Sequence, residues 1–271
     1  MFFFIDTMDF KGKTIWVTGA TSGIGEGVAY ELAKYQTRLI LSGRNKATLD
    51  KVAKHCEELG ATTRIEPFDL AIQETIEAAV HRVLADNENV FGLFNFGGIS
   101  QRSFVIDTPV EIDRIVMETN FFGTVVLTKG LLPQMVKNGG GVIVATSSIV
   151  GKFGFPYRSA YSASKHALHG FFESLRAENV RNNIQVTMLL PGRVATNVSV
   201  NAITNTGERY GKMDKGQAGG MSVERSARII CKGVRRGKKE VLYGGFSTIM
   251  VHIRRWFPRL YYFLSSRVEP L

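Results

Sequence analysis

Apolar runs and helical repeats alternate along this chain almost from end to end. Residues 14–18, 38–42, 63–68, 90–96, 141–147, 184–190 and 240–243 are short, rich in β-branched and aromatic residues, and predict strands. The stretches between them carry the apolar spacing of helices. Strands this apolar are buried on both faces, and helical crossovers between them make neighbouring strands parallel. The pattern therefore predicts an α/β fold: one doubly wound, seven-stranded parallel sheet flanked by helices, a single domain over residues 1–245. Two regions break the alternation. Residues 199–222 hold five glycines and little periodicity, which reads as a lid over a substrate or as a flexible insertion. In the tail, residues 246–271, the apolar Phe246, Ile249, Met250, Ile253, Phe257, Leu260, Tyr261 and Leu264 recur at helical spacing. Arg254, Arg255 and Arg259 fall largely off that stripe, and Pro258 predicts a kink. Such a segment suits an anionic membrane surface, or it covers a pocket or joins subunits.

Composition adds constraints. Hydrophobic residues make up 44% and charged residues 21% of 271, enough for a large core and unlike a disordered chain. A net charge of +10 implies attraction to anions, whether nucleic acid, acidic lipid or a phosphorylated cofactor. The arginines are spread along the chain without a nucleic-acid motif, which argues against a DNA or RNA binder. Cys56 and Cys231 match no disulfide, metal or redox spacing and point to a reducing, cytoplasmic setting. Residues 1–5 lack the basic region and cleavage site of a signal peptide, and no stretch approaches the roughly 18 to 20 apolar residues that span a bilayer.

Chemistry enters at the first strand, which runs into Gly19-Ala-Thr21-Ser22-Gly23-Ile24-Gly25 and then a helical pattern. This is the strand, turn and helix setting of a dinucleotide site, in the variant spacing Gly-x3-Gly-x-Gly. Gly19 permits the turn, Gly23 lets backbone N–H groups approach a pyrophosphate, and Gly25 lets the helix close on the strand, with the helix N-terminus facing the anion. The end of the second strand decides the ribose partner. An acidic residue there would bind the 2′-hydroxyl of NAD, but the chain offers Arg44, with Ser42, Asn45 and Lys46 nearby. A guanidinium fork suits a 2′-phosphate, so NADP is expected over NAD.

Tyr161 and Lys165 stand four residues apart on one helix face, a proton donor beside a cation that favours its phenolate. Tyr30 and Lys34 repeat the spacing, but thirteen residues before Tyr30 stands Val17, whereas thirteen before Tyr161 stands Ser148. His166 and His169 flank Lys165 without an acidic third ligand and read as helix surface; no metal is expected.

Together Thr18 to Gly25, Asn120, Ser148, Tyr161 and Lys165 resemble the short-chain dehydrogenase/reductase family, over about residues 10–245. The resemblance implies an NAD(P)-dependent oxidoreductase on a Rossmann-like domain. It implies that Lys165 also grips the nicotinamide ribose and that Asn120 holds a water relaying protons to Lys165. The same spacing favours Ser148 over Ser147 as the donor to the substrate oxygen. Further matches are Asp69-Leu70 beside the adenine, and Pro191-Gly192-x-Val194-x-Thr196 beside the nicotinamide. In Asn95-Phe96-Gly97-Gly98 the phenylalanine departs from the family's usual Asn-Asn-Ala-Gly, and its ring cannot make an amide's hydrogen bonds. The expected reaction interconverts a secondary alcohol and a ketone on a bulky apolar, lipid- or steroid-like molecule, in a homodimer or homotetramer. The alternative is a catalytically silent NADP-binding scaffold or redox sensor on the same fold.

Overall fold

The computed structural model describes residues 8–267; the expectations placed on residues 1–5 and on the end of the tail lie outside them. Seven strands form one parallel sheet: β1 Thr14–Thr18, β2 Arg38–Ser42, β3 Thr62–Ile65, β4 Val90–Asn95, β5 Gly141–Thr146, β6 Ile184–Pro191 and β7 Glu240–Tyr243. Their order is β3-β2-β1-β4-β5-β6-β7. Strand alternation explains why both faces are apolar. Ile15, Val17, Leu39, Leu41, Val142 and Val144 join a core on one face, and Trp16, Ile40, Ile143 and Ala145 join a second core on the other. The first is covered by α1 Gly23–Ala33, α2 Lys46–Glu58 and α3 Val223–Arg235. The second is covered by α4 Gln73–Ala85, the pair α5 Val110–Met117 and α6 Gly123–Lys137, and α7 Ser159–Glu178. Strand β3 ends earlier than expected because Glu66, 5% exposed, is turned into ion pairs with Arg64 and Arg82.

Helices α5 and α6 are joined through a π-helical turn, Glu118–Phe122, into a 28-residue apolar helix that is long and apolar enough to cross a membrane, contrary to the sequence expectation. Leu127, Leu131 and Met135 of α6 are fully buried in the second core, while Val110, Ile115 and Phe122 remain exposed. The segment 199–222 is more ordered than its composition suggested. Ile203 bridges to Gln101 and Arg209, Met221 bridges to Val194, and Lys215–Ala218 form a short helix.

The tail folds into helices Ile249–Trp256 and Pro258–Ser265, broken at Pro258 as expected. One side packs on Val150 and Phe153 through Met250, Val251, Ile253 and the buried Tyr261, whose hydroxyl donates to the Gly154 carbonyl. The other side is open: Trp256, Phe257 and Phe263 are each more than half exposed.

Candidate active site

The strand order reverses between β1 and β4, and a parallel sheet opens a crevice at the carboxyl ends of its strands there. A cleft of about 620 Å³ occupies that place and is lined by Gly19, Arg44, Leu70, Ser148, Tyr161, Lys165 and Thr196, among others. Asn120 and Asn95 stand just outside its lining and hold its walls.

The glycine turn is shaped by close approach. Gly19 has φ +63°, and a Cβ there would lie 2.7 Å from the Gly97 nitrogen. A Cβ on Gly25 would lie 2.3 Å from the Gly19 carbonyl oxygen, so the first turn of α1 can sit on β1 only with hydrogen there. Ser22 precedes α1 without a side-chain cap, which leaves that helix's leading N–H groups for an anion. Thr21 and Ile24 line the same cleft. Thr18 explains how the chain tolerates Phe96: its hydroxyl accepts from the N–H groups of Phe96 (3.2 Å) and Gly97 (3.3 Å). The Phe96 ring instead packs beside Phe94, in the core next to Gly25. Asn95 donates to the Val144 carbonyl, while its buried Oδ1 has no hydrogen-bond partner, nor has the buried Thr146 hydroxyl at the end of β5. These unpaired groups, the bare helix start and the hydrogen-only turn fit a nucleotide laid across the cleft.

Around the ribose end the structure divides the expected group. Arg44 is exposed at the cleft wall and makes no ion pair among the described residues. Asn45 caps α2, its side chain accepting from Thr48 N–H at 3.0 Å, and Ser42 is buried, accepting from the Trp16 indole at 2.8 Å. Lys46 pairs with Asp50. Of the four, only the Arg44 charge is unspent. Asp69 turns its carboxylate back to the Ala71 N–H, leaving Leu70 against Gly97.

At the other end the catalytic candidates converge. Ser147 donates to the Lys165 carbonyl at 3.0 Å and is thereby a structural tie, whereas the Ser148 hydroxyl, lining the same cleft, is loosely held, donating to the Pro191 carbonyl at 3.5 Å and accepting from the Val150 N–H at 3.4 Å. Lys165 is buried; its ammonium donates to the Thr146 carbonyl at 2.8 Å and lies 5.7 Å from the centre of the Tyr161 ring. Burial pushes the Lys165 ammonium down to about 8, still mostly charged at neutral pH. Tyr161 departs from expectation: burial raises its phenol, and the positive groups that oppose this are Arg158 and Arg102, helped by the Ser148 hydroxyl. Lys165 is aimed at the Thr146 carbonyl instead. The decoy Tyr30 is tied to Glu26 on α1, outside the cleft lining.

Asn120 lies in the π turn, a helical distortion common at functional sites. Its Oδ1 accepts from Ile99 N–H at 2.8 Å, and its amide donates to the Ile99 carbonyl and Ser164 hydroxyl. Both amide hydrogens are spent, and Oδ1 retains one lone pair. A Cβ on Gly98 would lie 2.9 Å from that Oδ1 and 3.6 Å from Lys165 Nζ, so the two flank one spot.

Pro191, Gly192, Val194 and Thr196 follow β6 along the cleft. Gln217 donates to the Val194 carbonyl and Thr196 hydroxyl, fastening the 199–222 segment over this side. His166 is on the surface as read, but His169 is buried, 3.7 Å from Glu173 and 3.8 Å from Glu240. Lys152 already neutralises Glu240 at 2.7 Å, which leaves that cluster poorly suited to a cation. Sequence reasoning missed Arg102, Arg158 and Asp214. The signal available was Arg158, three residues before Tyr161 and hence one helical turn away.

The sequence profile of short chain dehydrogenases matches residues 13–206. The chain belongs to the short-chain dehydrogenase family. It is an oxidoreductase acting on CH–OH groups. The enzyme is 44% identical over 265 residues to the mouse protein "Dehydrogenase/reductase SDR family member 7B", covering 96% of this chain and 82% of that one. It is 40% identical over 268 residues to the Anopheles gambiae "Dehydrogenase/reductase SDR family protein 7-like", with 96% and 84% covered. Two solved structures share the fold. One is L-sorbose reductase from Gluconobacter frateurii with NADPH and L-sorbose (TM-score 0.75, 24% identity, 87% of this chain and 96% of that one). The other is a Burkholderia phymatum family member with NAD (TM-score 0.81, 21% identity, 97% and 99%).

Proposed function

We propose that the enzyme is an NADP(H)-dependent interconverter of a secondary alcohol and a ketone on a bulky, largely apolar molecule. The observation that carries this reading is the convergence of Ser148, Tyr161 and Lys165 on one cleft shared with the hydrogen-only glycine turn. Family neighbours hold NADPH in one case and NAD in another, so the fold admits either. Preference for NADP rests on the unpaired Arg44 and on the absence of an acidic residue at 42–46. When bound, the nicotinamide supplies or accepts the hydride.

The chain's own groups handle the oxygen and its proton. The Ser148 hydroxyl donates to the substrate oxygen and stabilises charge developing there. The Tyr161 hydroxyl gives that oxygen its proton in reduction and takes it back in oxidation. Arg158 and Arg102 support the phenolate, Lys165 would reach the ribose, and a water between Asn120 Oδ1 and Lys165 Nζ returns protons from solvent. At the substrate end Arg102, Arg158 and Arg209 line the cleft, which favours an acidic group on an otherwise apolar substrate. The open side of the tail, with Arg254, Arg255, Arg259 and Arg267 and no acidic residue from 246 to 267, supports peripheral attachment to anionic membrane in the cytoplasm. Exposed Val110 and Phe122 on the long helix support a homodimer or homotetramer.

The test is a panel of ketones and alcohols, with and without acidic groups, assayed with NADPH and NADH side by side. Turnover favouring NADPH is expected. Binding of NADPH without turnover of any member would make the protein a nucleotide-binding scaffold.

A further inference from the structure

Beside Tyr161 the structure gathers three charged groups from three distant segments. Arg158 precedes α7, Arg102 follows β4, and Asp214 belongs to the 199–222 segment over the cleft. The Asp214 carboxylate has a side chain 5% exposed, and one of its oxygens, Oδ2, accepts from both guanidiniums, Arg102 at 2.6 Å and Arg158 at 3.1 Å. Arg102 is otherwise anchored, donating to the Ser100 hydroxyl at 2.8 Å and the Gln101 carbonyl at 2.7 Å. Arg158 has no such second anchor among the described residues; it lies over the Phe155 ring, 5.2 Å from its centre, with a side chain 23% exposed. Asp214 is held in turn, its N–H donating to Ser199 and its carbonyl starting the short helix of the segment. Two guanidiniums against one carboxylate leave a net positive charge at the cleft wall, next to the proton donor.

We infer that Arg158, clamped with Arg102 by Asp214, is a positioning cation for the Tyr161 hydroxyl, so that seating of the 199–222 segment governs how readily that phenol gives up its proton. This rests on the reading of Tyr161 as the proton donor. The charged and titratable groups around the phenol come from every side. Lys165 and Arg158 adjoin its own helix, Arg102 comes from the β4 loop and Asp214 from the lid, Arg193 acts on Arg158, and the tail contributes Tyr261 with Arg254. Among these, Arg158 and then Arg102 oppose the upward push of burial on the phenol. Burial and the neighbouring Arg102 charge strain Arg158 itself, which is held down to about 10, and Asp214 is among the groups that offset this. Without Asp214, two like charges would face each other half-desolvated. Arg158, the more exposed and less anchored, would turn to solvent and its field at Tyr161 would be lost.

The sign of one experiment separates this device from a plain counter-charge. A difluorinated tyrosine placed at position 161 ionises at lower pH, and its fluorine resonance reports the phenol directly, without substrate or turnover. Arg158→Gln is expected to raise the phenol's apparent pKa on the order of one unit, a tenfold fall in phenolate at a given pH. Arg158→Lys should recover most of that shift. Asp214→Asn should also raise it, because the guanidinium is released; removal of a mere negative charge would lower it. Circular dichroism checks that each variant is folded. An unchanged phenol in Arg158→Gln, or a lowered one in Asp214→Asn, overturns the inference. Because no substrate is used, failure here stays distinct from failure of the proposed reaction, which the ketone panel tests.

Discussion

A single hydroxyl group separates Tyr161 from phenylalanine, and in the proposed reaction that atom carries the proton. Tyr161→Phe is expected to lower turnover by about 10² to 10⁴, the usual value of general acid–base work, while cofactor affinity stays near wild type. Tyr30→Phe, which cuts only a bond to Glu26 on α1, should change turnover little; steady-state kinetics on any substrate from the panel checks both. Arg44 is the second residue-scale test. Arg44→Asp replaces a free cation with a carboxylate that repels a 2′-phosphate and accepts from a 2′-hydroxyl. A charge-assisted contact contributes roughly 1.5 to 3 kcal/mol, so NADPH affinity should fall about tenfold or more and NADH should gain; fluorescence titration of both reads the ratio. Residue identity announced these positions, but not the duties of their neighbours. Ser42 and Asn45 looked like helpers of Arg44, yet a buried indole and an open helix end claim them first, because unpaired polar groups at such places are costly.

Elements hold these side chains in place, and their junctions are where they fail. Gly25→Ala drives a methyl group to 2.3 Å from the Gly19 carbonyl oxygen, a backbone atom that cannot swing aside. The turn must open, at a cost of about 1 to 3 kcal/mol in stability, with loss of nucleotide binding; thermal unfolding and NADPH titration follow the two effects. Helix α7 carries a second liability. Burial holds His169 down to about 4, and Lys152 adds to this while Glu240 and Glu173 oppose it. An unfolded histidine titrates near 6.5, so on acidification the unfolded chain takes up the proton first and stability falls between about pH 6.5 and 4. The loss attributable to this group is at most about 3 kcal/mol, and it is absent above that window. Urea midpoints measured across the window should slope less in His169→Leu than in wild type. Neither feature is visible as an element in the sequence: His169 reads as helix surface until Gly151 and β7 close against it.

At the scale of the whole molecule, the tail is half cover and half open surface. Truncation would strip Tyr261 from Phe153, so the cleaner test changes only the open side. Trp256→Ser with Phe263→Ser should release the enzyme from anionic vesicles without shifting the melting temperature. Salt should weaken wild-type binding too, since exposed charges are screened over about 8 Å at physiological ionic strength. Failure of the wild type to co-sediment with vesicles at low salt would make the tail a cover only. The seven strands of the sheet, within a few residues, and the nucleotide turn were legible along the chain, as were Ser148, Tyr161 and Lys165 as candidates. These are local properties: a period of two, a period near three and a half, and spacing along one strand or helix face. What joins segments far apart in the chain came from the folded arrangement. That arrangement turned the Ser147 hydroxyl into the Lys165 backbone, gave the Phe96 backbone a hydroxyl partner in Thr18, and ordered a glycine-rich segment around a buried carboxylate. Arg102, Arg158 and Asp214 are 56 and 112 residues apart where they meet, and no periodicity encodes such a meeting. It follows from the sheet order, which carries the β4 loop, the start of α7 and the segment after β6 to the same carboxyl edge.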